Sequence, residues 1–309
     1  MSRGTCGSAA GIALAAILAA WSPAPAQQSP DVTYTGSIHY STGEYLFTER
    51  SHSVSLLNGL QLRWERVQLS ASMPLIYQTT PWISTSTGTP IPTGGPQSGT
   101  VRDSLGGRGG GDGDGMGPGG SGSASVSGSR AEASHDPIAI EDTATYDEIG
   151  AGDPMFGLSV TAVREDDGAP LTLSLRGDLK VPVADVDQGF GTGQADFGAG
   201  GSVSKQLGDA YVFTDLEYWV FGDMPDLELN NALSYAAGVG HVSGSVGVSA
   251  MLSGYTRILE GTDPPMTVSG GLSVFPGQTG RTGISVTAAA GLTESSPDFS
   301  LSAGWSLRL

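Results

Sequence analysis

The residues best placed to do chemistry are charged side chains spaced two apart. Arg176, Asp178 and Lys180 alternate within LTLSLRGDLKVPV (Leu171 to Val183), and Asp215 and Glu217 do so within YVFTDLEYW (Tyr211 to Trp219). Spacing of two puts each set on one face of a β-strand, where opposite charges on neighbouring strands can meet. With Arg66, Asp196 and Arg308 they are predicted to face inward. There they either shape the field of a pore or satisfy one another in a packed interior. Arg66, Arg176, Asp178, Lys180, Asp196, Asp215 and Glu217 are the lumen-lining candidates.

Other chemistries are poorly supported. The acidic DGDG (Asp112 to Gly115), with Asp103 and the acids from Glu132 to Asp153, supplies oxygen ligands but lacks the spaced repeat of a calcium site, and reads as a solvated acidic loop. GFGTG (Gly189 to Gly193) has no strand-to-helix context and is no phosphate cradle. The histidines His39, His52, His135 and His241 have no serine elbow and no evident third partner. Neither a catalytic site nor a cofactor is expected. Cys6 is the one cysteine, so a cysteine-held metal is not expected either.

The elements that must carry these residues are strands. In Leu171 to Val183 the odd positions are Leu, Val or Gly and the even ones polar, charged or Pro. The pattern recurs about twelve times along the chain. Early examples are Val32 to Tyr40, Ser51 to Leu62 with Asn58-Gly59 as a possible bulge, and Val67 to Tyr77. Later ones carry Phe156 to Ala162, Phe197 to Val203, Val212 to Val220, Leu233 to Val239, Val246 to Leu252, Val268 to Val274, Ile284 to Leu292 and Phe299 to Leu309.

Connection lengths decide the architecture. Long links (Ser41 to Arg50, Thr79 to Asp153, Ala184 to Gln194, Gly222 to Glu228, Tyr255 to Met266) alternate with tight ones near Trp64, Asp167, Gly208, Val242 and Gly277. Long loops at one end and short turns at the other predict an all-β, transmembrane, antiparallel up-and-down barrel of about twelve strands, both termini in the periplasm. The apolar face then meets lipid and the Ser, Gly and Thr face a wet lumen. Aromatics such as Tyr34, Tyr40, Trp64, Tyr77, Phe156, Phe197, Phe299 and Trp305 are expected at the interfaces. From Thr79 to Asp153 the alternation stops around LGGRGGGDGDGMGPGGSGSASVSGS (Leu105 to Ser129). That insertion is expected to be a disordered surface loop, with no plug and no part in folding.

Arg3, the apolar run Gly11 to Trp21 and Ala24-Pro25-Ala26 read as a signal peptide over residues 1–26, leaving 27–309 as the barrel. A net charge of -17 argues against nucleic acid. The 48 glycines and a mean hydropathy of -0.04 suit alternation in a barrel wall.

From about Val67 to Leu309, the insertion aside, the chain resembles the outer-membrane barrels named after phenol-degradation (meta-cleavage) pathways. MPLIY (Met73 to Tyr77), GDPMFGLSV (Gly152 to Val160), LRGDLKVPVADVDQGFGTGQADFGAGGSVSK (Leu175 to Lys205) and YVFTDLEYW carry the likeness, and KVPV before GFGTG is its most specific part. The insertion is longer than the family pattern, and Leu309 stands where such barrels end in an aromatic. The resemblance implies an outer-membrane location and passage of small apolar or aromatic molecules. Expected partners are the lipid bilayer and, through the C-terminal strand, the barrel-assembly machinery. A surface interaction protein using the Gly-rich loop, or a closed structural barrel, are the alternatives.

Overall fold

The computed structural model describes residues 29–86, 89–106, 137–140, 146–276 and 282–309. The chain divides into Met1–Pro30 and Asp31–Leu309. The expected leader and the Gly-rich centre of the insertion lie outside the described residues.

The strands, in order, are β1 (Asp31–Gly43), β2 (Ser51–Arg63), β3 (Val67–Gln78), a hairpin of β4 (Ser84–Ser86) and β5 (Thr89–Ile91), then helix α1 (Ser98–Gly106) and β6 (Glu148–Ala151). They continue with β7 (Met155–Val163), β8 (Thr172–Lys180), β9 (Asp196–Leu207), β10 (Ala210–Val220) and β11 (Ala232–Ser243). Last come β12 (Val246–Tyr255), β13 (Met266–Val274), β14 (Gly283–Gly291) and β15 (Phe299–Arg308). Sequential staves pair antiparallel, and β15 closes on β1 from Thr33–Arg308 to Thr42–Phe299. The result is a closed barrel of 12 staves, in which β6 and β7 together make one interrupted stave along β3. Closure leaves the sheet no unpaired edge, a requirement for a sheet surrounded by lipid.

Side-chain exposure inverts the soluble rule. Ile38 is 47% exposed, Leu216 49%, Val248 50% and Ile284 58%, whereas Lys180 and Glu217 are 1% and 2% exposed. Outward faces are thus apolar and inward faces polar, as in barrels bathed in hydrocarbon. Tyr77, Phe156, Phe197, Tyr218 and Phe299 are exposed outward near the loop end, forming much of one aromatic girdle.

Three expectations need correction. The register of β2 runs unbroken from Asp31–Arg63 to Gly43–Ser51, so Asn58-Gly59 is no bulge. Asn58 instead faces outward and accepts the Tyr34 hydroxyl at 2.7 Å, which satisfies both polar groups on an apolar face. His241, beside the tight connection expected near Val242, lies within β11, which runs on to Ser243. Most important, the flanks of the insertion are folded: β4, β5, α1 and β6 arise from it, and Trp82, Ile83, Ile91, Val101 and Ile138 are buried.

These residues join a hydrophobic core built from the loops at one end of the barrel. The core also takes Tyr45, Leu46 and Phe47 from the β1–β2 loop, Phe221, Met224, Leu227 and Leu229 from the β10–β11 loop, and Ile258 and Leu259 from the β12–β13 loop. It rests on Trp219 and Ala232, inward-phase residues of β10 and β11. In a ring of 12 staves β1 and β10 stand opposite, so this cluster spans the barrel mouth and caps it. Sequence periodicity missed the cap because its apolar residues come in ones, twos and threes from four loops. Each is too sparse to show a pattern, yet together they bury one another. Tyr45 belongs to this core, and burial pushes its phenol pKa up.

Candidate functional site in the lumen wall

β8, β9 and β10 carry the charged part of the wall. Arg176 pairs in register with Gly200, and Gly200 with Glu217. The middle strand thus presents no side chain between the two charges. A guanidinium on β8 must cross the width of two strand spacings, about 10 Å, to reach β10. The inward glycines of β9 clear that path. A methyl group placed on Gly200 would lie 2.6 Å from Glu217 Cα, and one on Gly198 would lie 2.8 Å from Trp219 Cζ2 and also meet Glu217 Oε1. Gly157 on β7 makes similar room for Asp178, whose Oδ1 would be 2.7 Å away.

Through this gap Arg176 reaches Glu217 Oε2, Asp215 Oδ1 at 3.1 Å and Asp178 Oδ2 at 3.6 Å. One cation thereby meets three carboxylates. Glu217 Oε1 and Asp178 Oδ2 are buried without a hydrogen-bond partner, as is the indole N–H of Trp219. Trp219 sits above, stacked on Phe221 at 6.3 Å, and so joins the charged wall to the floor of the cap. The inward face of β10 reads Tyr211, Phe213, Asp215, Glu217, Trp219, with acids between aromatics. Much of the remaining wall is small and hydroxylic, for example Ser269, Thr287 and Ser302.

Lys180 lies elsewhere than expected. It does not reach Asp215 or Glu217 but ends at the loop end of the barrel, 1% exposed, with Asp196 Oδ2 at 2.7 Å and Asp153 Oδ2 at 3.4 Å. Its ammonium also donates to Thr192 Oγ1 at 2.7 Å. Asp153 Oδ1 accepts the backbone N–H groups of Val183 and Ala184, both at 2.8 Å, and Asp196 Oδ1 accepts that of Gly222 at 3.0 Å. A single buried ion cluster therefore ties the β6–β7 interruption, the β8–β9 loop and the β10–β11 loop together. Pro74 and Pro154 help explain the interruption, since neither has an N–H to give a ladder. There Pro74 O accepts the Gly152 N–H and Pro154 O accepts that of Val181.

Arg66 also departs from its expected place. It lies in the β2–β3 turn, donates to Asp167 Oδ2 at 2.7 Å and to Ala162 O at 3.3 Å, and joins two turns at the opposite end of the barrel. The strand phase carried past Arg63 wrongly turned a turn residue into a lumen residue. Arg308 pairs with Asp31 across the β15–β1 closure. At the same end, the Gln206 N–H and the Lys205 ammonium hold the Glu165 carboxyl pKa below its ordinary value.

Among the histidines, His39 is inward on β1, and His52 lies at the start of β2 with Nδ1 3.0 Å from the Tyr40 hydroxyl. His135 is outside the described residues. Among the described residues no group of three or more His, Cys, Asp or Glu could hold a metal, and the DGDG segment lies outside them. Asp153, Thr192, Gly198, Gly200 and Trp219 were not among the candidates. The alternating Gly198 and Gly200 beside two charged strands were the legible signal.

A solved structure shares this architecture over nearly its whole length. An outer membrane channel from Pseudomonas putida F1 superposes with a TM-score of 0.53 at 12% identity, covering 92% of this chain and 97% of that one. The fold is that of an outer-membrane barrel. More distant matches are the NanC porin (8% identity, 90% and 100% of the two chains, TM-score 0.47) and the CymD monoaromatic hydrocarbon channel (10%, 92% and 89%, TM-score 0.43). No family model and no curated protein sequence matches the chain.

Proposed function

We propose that this protein is an outer-membrane channel through which small apolar or aromatic molecules pass by diffusion, and that it belongs with the barrels named after phenol-degradation pathways. The observation that carries the reading is a closed barrel, apolar outside, whose inner wall combines small hydroxylic residues with the aromatic stave Tyr211, Phe213, Trp219. A stable anchor has no need of an interior emptied of bulk. In this reading the long loops and the cap face outward from the cell, the turns face the periplasm, and the leader over 1–26 directs export. The C-terminal strand engages the assembly machinery, and the protein catalyses no reaction. The cap favours a gated channel over an always-open one, since an apolar cluster spanning the mouth resists water and ions.

Proteoliposomes test this directly. Flux of neutral benzyl alcohol should exceed that of protein-free vesicles, and Trp82→Ala, which removes the fully buried indole of the cap, should raise single-channel conductance. A barrel that is folded by heat-modifiability yet passes nothing, even with Trp82→Ala, would establish the closed structural reading instead.

A further inference from the structure

We propose that the wall around Gly198 is a recognition site for organic cations, a protonated amine carried on an aromatic or apolar body. The inference rests on the channel reading for its physiological use but not for its existence as a site.

The first ground is charge. Arg176 is the one cation among Asp178, Asp215 and Glu217, and it contacts all three. Net negative charge held in a partly dehydrated wall draws a counter-cation, because a buried carboxylate is costly unless paired. The second ground is orphaned atoms. Glu217 is 2% exposed and its Oε1 has no donor, and Asp178 Oδ2 accepts no hydrogen bond and has only the Arg176 guanidinium at 3.6 Å. Glu217 Oε1 and the ring edge of Trp219 both crowd the point where a Gly198 side chain would stand. An acceptor and an aromatic ring therefore stand together in the space that the missing Gly198 side chain leaves. An ammonium offers three donors to such acceptors, and an indole beside it adds a cation–π contact.

A third observation is independent of that cluster. The loops over this stave carry Asp185, Asp187, Asp223 and Glu228, and among the described residues Arg102 there is already engaged with Asp103 and Asp226. An acidic mouth above an anionic wall concentrates cations and repels carboxylates. The opposite wall supplies hydroxyls from Ser269, Thr287 and Ser302, which accept or donate to any guest and so confer no sign preference.

Three ligands of one shape separate the possibilities: benzylammonium, benzyl alcohol and benzoate, at neutral pH. Equilibrium dialysis against the full-length protein in micelles should show benzylammonium bound at least about tenfold more tightly than either of the others, the scale of charge focusing in a cleft. Glu217→Gln should reduce that ratio to within about twofold, and Asp178→Asn should reduce it in part, each scored only after heat-modifiability shows an intact barrel. Trp219→Phe should weaken binding of the cation while leaving its preference over benzoate. Equal binding of the three by the native protein, or a preference unchanged by both carboxylate variants, would overturn the site. Flux of the same molecules into proteoliposomes answers the other question. Benzyl alcohol flux without a cation preference leaves the channel and removes the inference, whereas tight benzylammonium binding without any flux leaves the site and removes the channel.

Discussion

Lys180→Met removes the cation from the buried cluster at the barrel mouth, and its cost follows from the geometry. The ammonium is 1% exposed, with Asp196 at 2.7 Å and Asp153 at 3.4 Å, and these carboxylates are 0% and 2% exposed. Without it, two negative charges remain in a dry site, held by the backbone N–H groups of Val183, Ala184 and Gly222. Removing one partner of a buried ion pair costs about 3–5 kcal/mol. With a urea slope of about 2 kcal/mol per molar, the unfolding midpoint in vesicles should fall by about 2 M. The triple variant Lys180→Met, Asp153→Asn, Asp196→Asn removes all three charges but keeps the amide oxygens as acceptors, and it should recover most of the loss. The reasoning fails if Lys180→Met costs less than about 1 kcal/mol, the range of an exposed pair. It fails equally if the triple variant is no more stable than the single one.

Gly200→Val drives a side chain into the Glu217 Cα and the Leu216 carbonyl, neither of which can rotate away, and should cost about 1–3 kcal/mol by overpacking while scattering the Arg176 contacts. Tyr45 provides a pH test: burial raises its folded pKa above the unfolded value of about 10. Its contribution is therefore complete below pH 10 or so and is lost as pH rises toward the folded pKa, so alkaline protease sensitivity of the cap should grow in the native protein and not in Tyr45→Phe. Removing Gly107 to Asp136 should leave the urea midpoint unchanged, because loop closure depends only logarithmically on length. Val101→Asp, by contrast, buries a charge in the cap and should raise conductance, read in planar bilayers, without unfolding the barrel.

The barrel was legible because its signal is repeated. Period-two alternation in the staves, read with the alternation of loop lengths, fixes strand direction, faces and closure, and a single misplaced turn near Val242 changes nothing. A repeated pattern averages out local exceptions such as Asn58 or Pro74. The cap has no such redundancy. Phe47, Trp82, Met224 and Ile258 lie far apart along the chain, and nothing within any one loop says that another loop will cover it. Composition over Thr79 to Asp153 was dominated by its Gly-rich centre, which masked folded flanks holding the few large apolar residues.

The charged wall lay between these extremes, and its partial legibility has a physical cause. Strand phase puts Arg176, Asp178, Asp215 and Glu217 on one face of their strands, since phase is a local property. Which charge meets which is decided by register and by what stands between, and both are non-local. Lys180 and Arg176 differ by two repeats of the same face, yet one finds Asp196 on the adjacent strand and the other passes over Gly200 to β10. The difference lies in β9, where Asp196 fills one inward position and glycines empty the next two. The pairing of charges in this wall is thus written in the uncharged strand between them, and a reading that lists only charged residues must miss it.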